Sequence, residues 1–368
     1  MRKLFILFFF FWTINAFAKT HHVNNTASGS NNGTSWINAF LNLQNAIDSA
    51  RNGDTIKVAA GIYRPIGYNF YKFFELKNGV IFLAGYSPAT GDTTDASRNW
   101  VNFPVILSAD FLNGTSADSL VVAKNVSALT VMDGFFIKDA RWLGLRILNS
   151  TNVFLRNIIV QSNSSDVVTI VNSSPSFRNC VFANNSGETI INEAGSHSSF
   201  YNCVVTGNTS RNINQPVIVN TNAATTFVNC TIVNNNGVVF NGVGSGSATI
   251  RNCIFWNNKN DGRIEECDIV SPSQSLQVSH SITQTYYGTS SINSLLISMN
   301  PRFLNILSPA GPDNKYFTSD DGLQLSIPCS PALNTGDTLQ LLSFQCPRMI
   351  MASGSIPILF DQHSQLIH

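Results

Sequence analysis

Charged residues are scarce in this chain, since only 12% of its 368 residues are Asp, Glu, Lys or Arg. The net charge is +1, so the composition indicates no basic surface of the kind that binds nucleic acid. The six histidines and seven cysteines form no zinc-binding spacing. Phosphate-binding loops and Gly-x-Ser-x-Gly elbows are also lacking. These absences leave no motif typical of zinc, nucleotide or serine-hydrolase chemistry.

A second long hydrophobic run is lacking as well. The first follows Arg2 and Lys3 and extends from Leu4 to Ile14, which is too short to cross a membrane. Small residues at 16 and 18 then form a cleavage motif. Residues 1–18 are therefore predicted to be a signal peptide. We expect a protein that is secreted or on the outer cell surface, with no transmembrane span after signal removal.

The chain does contain a repeat, between Phe154 and Asn258. Each of five segments reads apolar, any, Asn, Cys or Ile, any, apolar, any, any, Asn. The first asparagines recur every 22–27 residues, and they are Asn157, Asn179, Asn202, Asn229 and Asn252. The second asparagines follow six residues later, and they are Asn163, Asn185, Asn208, Asn235 and Asn258.

This period predicts a stacked architecture, and the alternation of apolar residues within each segment indicates strands and not helices. We therefore predict an all-β fold, a parallel β-solenoid in which each strand pairs with its copy one coil away. Asparagine suits the bends because it tolerates the left-handed conformation. Stacked amides can also hydrogen-bond along the axis, so the two rows are predicted to form a structural ladder.

Four cysteines come directly after first-row asparagines, and they are Cys180, Cys203, Cys230 and Cys253. We expect them to point inward as a stack of buried thiols. Axial disulfides are the alternative in an exported protein, but side chains about 4.8 Å apart exceed the favoured Cβ separation. Cys267, Cys329 and Cys346 fit no pattern.

An amphipathic helix is predicted before the first coil. One apolar face at helical spacing contains Phe40, Leu43, Ala46, Ile47 and Ala50. Asn42 is the expected N-cap, and Asn52–Gly53 ends the helix. Since a solenoid must cover its open apolar end, we predict that this helix is the N-terminal cap.

Motifs at both ends resemble those of bacterial secreted right-handed parallel β-helix proteins of the pectin-lyase-like superfamily. The N-terminal motifs are Gly33-Thr-Ser-Trp36, Leu43-Gln-Asn-Ala-Ile47, Gly53-Asp-Thr-Ile56 and Val58-Ala-Ala-Gly-Ile-Tyr63. The C-terminal motifs are Asn300-Pro-Arg-Phe303 and Cys329-Ser-Pro-Ala-Leu-Asn-Thr-Gly336. The resemblance implies a right-handed β-helix and export. It says little about activity, since that family is mostly uncharacterised surface proteins with polysaccharide lyases and glycosidases among its fold relatives.

The predicted domain organisation follows from these segments. After the signal peptide come an N-terminal cap (19–53), parallel β-helix coils (54–299), a C-terminal closing segment (300–337) and an irregular tail (338–368). The tail shows no C-terminal sorting domain, which leaves surface anchoring and release as alternatives.

Chemistry on a solenoid requires side chains that share a column in successive coils. Asp166, Glu188 and Arg211 each lie nine residues after a first-row asparagine. Two carboxylates about 5 Å apart would suit a retaining glycosidase, so these three are the catalytic candidates. The alternative is a solvated column with one ion pair.

Two further candidate sites are predicted. Arg156, Arg178, Arg251 and Tyr201 lie one place before first-row positions and are glycan-binding candidates; an ordinary solvent face is the alternative. Asp313, Asn314, Asp320 and Asp321 lie in a glycine-bearing loop and could ligate calcium, which is the one cofactor considered. Asp133 and Asp139 repeat the six-residue offset, so the ladder is expected to begin with acids.

Three functions remain. The first is a non-catalytic secreted or surface protein that acts in adhesion or contacts an extracellular polysaccharide or a host or cell-surface glycan. The second is a polysaccharide lyase or glycoside hydrolase, which rests on fold analogy alone. The third is a purely structural envelope domain.

Overall fold

The computed structural model describes residues 18–65, 73–110, 119–193, 195–212, 215–259, 268–271, 273–288, 291–293, 296–297, 299–326 and 330–332. In these residues the chain forms one helix and three parallel sheets, A, B and C. The predicted tail, all but the last residue of the predicted signal peptide, and Cys267, Cys329 and Cys346 lie outside them.

Sheet A has eleven strands in chain order. They are β1 (Thr20–Val23), β2 (Thr55–Ala59), β5 (Ile81–Tyr86), β8 (Thr130–Asp133), β11 (Val153–Arg156), β14 (Ser176–Arg178), β17 (His197–Tyr201), β20 (Ala224–Val228), β23 (Ser247–Arg251), β26 (Ser275–Ser279) and β29 (Ser291–Asn293).

Sheet B has ten strands. They are β3 (Gly61–Tyr63), β6 (Val105–Ser108), β9 (Phe135–Lys138), β12 (Ile159–Gln161), β15 (Val181–Ala183), β18 (Val204–Thr206), β21 (Thr231–Val233), β24 (Ile254–Trp256), β27 (Ile282–Thr283) and β30 (Leu296–Ile297).

Sheet C has nine strands. They are β4 (Phe74–Glu75), β7 (Ser119–Lys124), β10 (Leu143–Leu148), β13 (Asp166–Val171), β16 (Ile190–Asn192), β19 (Pro216–Thr221), β22 (Val238–Val243), β25 (Ile269–Ser271) and β28 (Tyr286–Gly288). The chain visits A, B and C in turn, so the predicted parallel β-solenoid is confirmed.

In the five repeat coils the corner from sheet A to sheet B needs only two residues, because the first of them is left-handed. The five first-row asparagines all have φ between 51° and 56° there. Asparagine adopts this conformation more readily than other non-glycine residues, which explains why it recurs at this bend. Their side chains also bond along the axis, as between Asn252 and Asn229 at 3.1 Å.

The core lies between the three sheets and is built of stacked side chains. Phe177, Phe200 and Phe227 are fully enclosed, and neighbouring rings stack with centroids 4.7 Å apart. The four repeat cysteines are buried as free thiols, as predicted. The Sγ of Cys253 accepts the N–H of Cys230 one coil earlier at 3.4 Å, so this thiol satisfies a buried backbone donor.

Helix α1 (Leu43–Ser49) precedes the first coil. All five residues of the predicted apolar face are buried, and all five join the core cluster with Val23 and Ile56. Asn42 occupies the N-cap position but makes no side-chain capping hydrogen bond. That the helix closes the end of the solenoid stays a prediction. No helix in the described ranges is long and apolar enough to cross a membrane.

Residues 299–326, which we name the strap, pack against the side of the solenoid. Tyr316, Phe317 and Leu323 form a second apolar cluster on the outward face of sheet B. The sheet contributes Ile159, Val181, Ala183, Val204 and Val233. The described part of the predicted closing segment therefore covers a lateral face, which the sequence did not indicate.

Candidate functional site

The corner from sheet B to sheet C carries the second row of asparagines, and these form the ladder proper. Asn163, Asn185, Asn208, Asn235 and Asn258 are each at most 4% exposed. Each of the first four donates from Nδ2 to Oδ1 of the next, at 2.9–3.1 Å. The same Oδ1 atoms accept the backbone N–H of the previous rung at 3.0 Å. The ladder therefore fixes the shape of this corner over five coils.

A buried carboxylate ends the ladder. Asn258 donates to Oδ1 of Asp268 at 2.9 Å, and Thr283 and the N–H of Gln284 bond Oδ2. Burial raises the pKa of Asp268 above its ordinary value, although these hydrogen bonds oppose the shift. Asp268 could not be predicted from the repeat, because it follows Asn258 by only ten residues and so breaks the coil period.

The prediction that the ladder begins with acids is wrong in register by one position, although Nδ2 of Asn157 does donate to Oδ1 of Asp133 at 2.8 Å. Asp133 pairs with Arg156 and Lys138 with Gln161, so Gly134 and Ala140 occupy the ladder positions. Asp133 is instead fully buried at a sheet A strand end, where Arg98 bonds it and Arg156 donates to it at 2.8 Å.

Directly after each ladder residue lies a polar residue, in a column that we name the edge row. It contains Arg141, Ser164, Ser186, Thr209, Asn236 and Lys259. The N–H of each of the last five donates to the carbonyl one coil earlier, at 2.7–2.9 Å. Four of the six are exposed and Ser164 and Asn236 are half-buried, so the row presents hydroxyl, amide and cationic groups along the axis.

A groove of about 490 Å³ lies between this corner and the strap. Its solenoid wall includes the left-handed corner residues Asn184, Gly207, Asn234 and Asn257, together with Lys259. Its strap wall includes Leu307, Asn314 and Tyr316. Among its lining residues, Lys259 is the one that carries a full charge at neutral pH, so the groove is polar without being strongly charged.

A hydrogen bond joins the two walls of the groove, and a second connects two residues of the solenoid wall. Nδ2 of Asn234 donates to the carbonyl of Ile306 at 2.5 Å, and Nδ2 of Asn257 donates to Oδ1 of Asn234 at 2.7 Å. Thr206 also lines the groove, is 1% exposed, and its Oγ1 has no hydrogen-bond partner in the described part of the chain.

The catalytic candidates lie beside the same corner. Asp166 and Glu188 begin the sheet C segments of neighbouring coils, and the N–H of Val167 donates to the carbonyl of Glu188 at 2.9 Å. Burial raises the pKa of Glu188, the charge of Asp166 raises it further, and Arg211 lowers it. These two carboxyls are therefore close enough to influence each other.

Arg211 does not share their column. Ile190 pairs with Ile218, so the residue that matches Glu188 is Pro216. Arg211 lies in the longer corner of that coil, which adds residues before the strand and shifts the expected offset. The column prediction is wrong for this residue, although its charge still acts on Glu188.

The glycan-binding candidates form a column on sheet A. Arg156 pairs with Arg178, Arg178 with Tyr201, and Val228 with Arg251. The Arg178 guanidinium lies 5.3 Å from the centre of the Tyr201 ring, and Arg156 bonds Asp133. The four residues do share a column, but Arg156 is paired with Asp133, and Arg178 and Tyr201 contact each other.

The calcium candidates lie in the strap. Asp313 accepts the N–H of Lys315 at 2.8 Å, Asp320 accepts the Thr318 hydroxyl at 2.6 Å, and Asp321 accepts the N–H of Phe317 at 2.9 Å. Asn314 faces the groove. No group of three or more His, Cys, Asp or Glu residues suited to a metal ion occurs in the described residues, and calcium binding stays an untested prediction.

Comparisons with known proteins concern the fold. Residues 119–284 match the family model described as "Right handed beta helix region". The structure resembles pectate lyase Pel9A, with a TM-score of 0.57 and 13% identity over 93% of this chain and 96% of that one. A search of curated proteins found no match.

Two other solved structures are similar at lower TM-scores. A rhamnogalacturonan lyase gives 0.45, with 15% identity over 76% of this chain and 74% of that one. Pectin methylesterase from carrot gives 0.44, with 10% identity over 76% and 88%. At these identities the likeness concerns the fold alone.

Proposed function

We propose that this chain, which is a right-handed parallel β-helix with the pectin-lyase-like fold, is a secreted or cell-surface protein that binds an extracellular polysaccharide without cleaving it. The observation that carries the proposal is the groove of about 490 Å³ between the ladder corner and the strap. Polysaccharide binding would serve adhesion or contact with a host or cell-surface glycan.

The chemistry of the groove supports a carbohydrate ligand. Sugars present many hydroxyl groups, each of which can both donate and accept, and side-chain amides offer the matching pair of groups. The lining includes the side-chain amides of Asn184, Asn257 and Asn314, beside Asn234, whose amide already bonds Ile306 and Asn257. The one full charge is cationic, which tolerates neutral and acidic sugars alike.

Secretion is part of the proposal and rests on the sequence. The basic start, the short apolar run and the small residues at 16 and 18 are typical of a signal peptide. N-terminal sequencing of the protein recovered from the medium or cell surface of an expressing bacterium should find a start at Lys19. An intact N-terminus in the cytoplasm would contradict secretion.

Binding can be tested by affinity electrophoresis in gels containing xylan, polygalacturonate, alginate, galactomannan or β-glucan. We expect retardation by at least one polysaccharide and release of no reducing sugar or unsaturated uronide. The double variant Asn257→Gly and Lys259→Ala should lose the retardation. Gly is chosen because residue 257 has φ 53°.

The matched control is Arg178→Ala, on the outward column of sheet A. It should be retarded like the wild-type protein. If only this variant loses retardation, the binding surface is the sheet A column and not the groove. If none of the polymers retards the wild-type protein, the proposal is contradicted.

One observation favours cleavage as a second candidate. The raised pKa of Glu188 beside Asp166 is the environment that a general acid of a glycosidase requires. If the protein cleaves a glycan, Glu188→Gln should abolish product release while leaving retardation in the gel intact. Activity that survives in both Glu188→Gln and Asp166→Asn would contradict this role.

A further inference from the structure

The edge row continues well beyond the groove. Corner residues that line the groove come from the coils of Asn184, Gly207, Asn234 and Asn257, whereas the row begins two coils earlier at Arg141. Successive coils are about 4.8 Å apart, so the five steps from Arg141 to Lys259 span about 24 Å. A straight line of polar side chains therefore leads out of the groove toward the N-terminal coils.

An exposed aromatic residue lies at the far end of this line. Trp142 follows Arg141 and is 55% exposed, although its backbone is fixed because its carbonyl accepts the N–H of Asp166 at 3.0 Å. Trp256, in contrast, is half-buried and packs against the strap cluster. An exposed indole on a rigid backbone offers a flat apolar face of the kind that packs on the C–H face of a sugar ring.

We infer that one linear glycan chain binds parallel to the solenoid axis, with one end in the groove and with Trp142 as an outlying platform for a sugar at the other. The inference rests on the proposed function and adds to it the direction, length and register of the ligand. The coil spacing is close to the length of one sugar residue in an extended chain, so each coil would offer its row residue to about one sugar.

The row suits such a ligand because its chemistry is repetitive. Ser164, Ser186 and Thr209 present short hydroxyls, and Arg141 and Lys259 present cations near the two ends. Short side chains on a rigid corner lose little rotational freedom on binding. A chain that covers the whole row should therefore bind more tightly than one that fills the groove alone.

Chain length is the test. Dissociation constants are measured by calorimetry for xylo-oligosaccharides and oligogalacturonides of two to eight residues, with wild-type protein, Trp142→Ala and the groove double variant. For the series that binds, we expect affinity to rise with length up to about six residues. Trp142→Ala should weaken the six-residue ligand about tenfold, which is about 1.4 kcal/mol, and leave the three-residue ligand unchanged.

The outcomes separate this inference from the proposed function. If affinity is independent of length, or if Trp142→Ala changes nothing while the groove variant abolishes binding, the extended site is wrong and the groove remains. If Trp142→Ala weakens short and long ligands equally, the platform belongs to a separate site and the inference fails. If the wild-type protein binds no member of either series, both fail.

Discussion

At the scale of single residues, the ladder asparagines differ sharply in what they contribute. Asn208 is fully buried; it bonds Asn185 and Asn235 and donates to the carbonyl of Phe182 at 2.9 Å. Asn208→Ala leaves a buried N–H and a buried carbonyl without partners. We expect a loss of about 2–4 kcal/mol in the free energy of unfolding, measured by urea denaturation.

The control is Asn202→Gly, in the first row. Asn202 is exposed and has φ 52°, so glycine keeps the bend and removes only an exposed amide. Its cost should be below about 1 kcal/mol. Equal losses in both variants would show that the buried ladder has no special role in stability.

The buried thiols give a second prediction at this scale. One coil beyond Cys253, Ser281 takes the same role, since its Oγ accepts the N–H of Cys253 at 3.0 Å and donates to the carbonyl of Ser279 at 2.8 Å. Cys253→Ser should therefore keep both bonds and cost about 1 kcal/mol or less. Cys253→Val should cost about 1–3 kcal/mol, because the N–H of Cys230 loses its acceptor. A serine variant less stable than the valine variant would contradict this account.

Among single residues, the repeated ones could be predicted and the isolated ones could not. The fixed six-residue offset identified all ten asparagines of the two rows. They repeat because the same bend and the same axial hydrogen bonds recur in each coil. Asp133 was assigned to a ladder position that Gly134 occupies in the structure. Gly134 has a positive φ and forms the bend there. Asp268 could not be identified in this way, because it is not part of the repeat.

At the scale of elements, the strap contains a buried carboxyl group, that of Asp321. Asp321 is 3% exposed within a cluster whose sheet B side is apolar, and the charged or titratable groups that face it are Asp320 and Tyr316. Burial raises the pKa of Asp321 to about 6, and the charge of Asp320 adds to the shift. The docked strap therefore favours a protonated Asp321.

The sign of the resulting pH dependence follows from the direction of this shift. The pKa rises from 3.8 in the unfolded chain to about 6 in the folded strap, so the folded strap is most stable below pH 4 and loses stability as the pH rises through 6. Over this pH range the free energy that stabilises the strap changes by about 3 kcal/mol. Hydrogen exchange of amides in 303–326, corrected for intrinsic rates, should show stronger protection at pH 5 than at pH 7.

Asp321→Asn is the variant that isolates this effect. An amide can still accept from Phe317 and bond the Thr318 hydroxyl, so the strap should be protected equally at both pH values. Asp320→Asn should retain the pH dependence, because Asp320 is exposed. A pH dependence that persists in Asp321→Asn would assign it to another group.

Strap placement illustrates why elements outside the repeat are harder to predict. Its contacts with sheet B join residues far apart in sequence, such as Asn234 and Ile306, and no local pattern encodes them. Helix α1, by contrast, was predictable because its apolar face is a local property of its own residues. The longer corner that displaces Arg211 is likewise a change of coil length that a fixed offset cannot detect.

At the scale of the whole molecule, one solenoid edge brings together the features that matter for function. The ladder makes this corner rigid, the strap adds a second wall, and the edge row continues the polar surface toward Trp142. Sequence periodicity was sufficient to predict the solenoid. It could not predict the groove, because one wall of the groove lies outside the repeat.

The most direct test is a crystal structure of the protein soaked with xylohexaose or with hexagalacturonate. Our account predicts sugar density between the strap and the ladder corner, with the chain parallel to the solenoid axis and its outer end near Trp142. Density over Arg178 and Tyr201 on sheet A, with an empty groove, would contradict it.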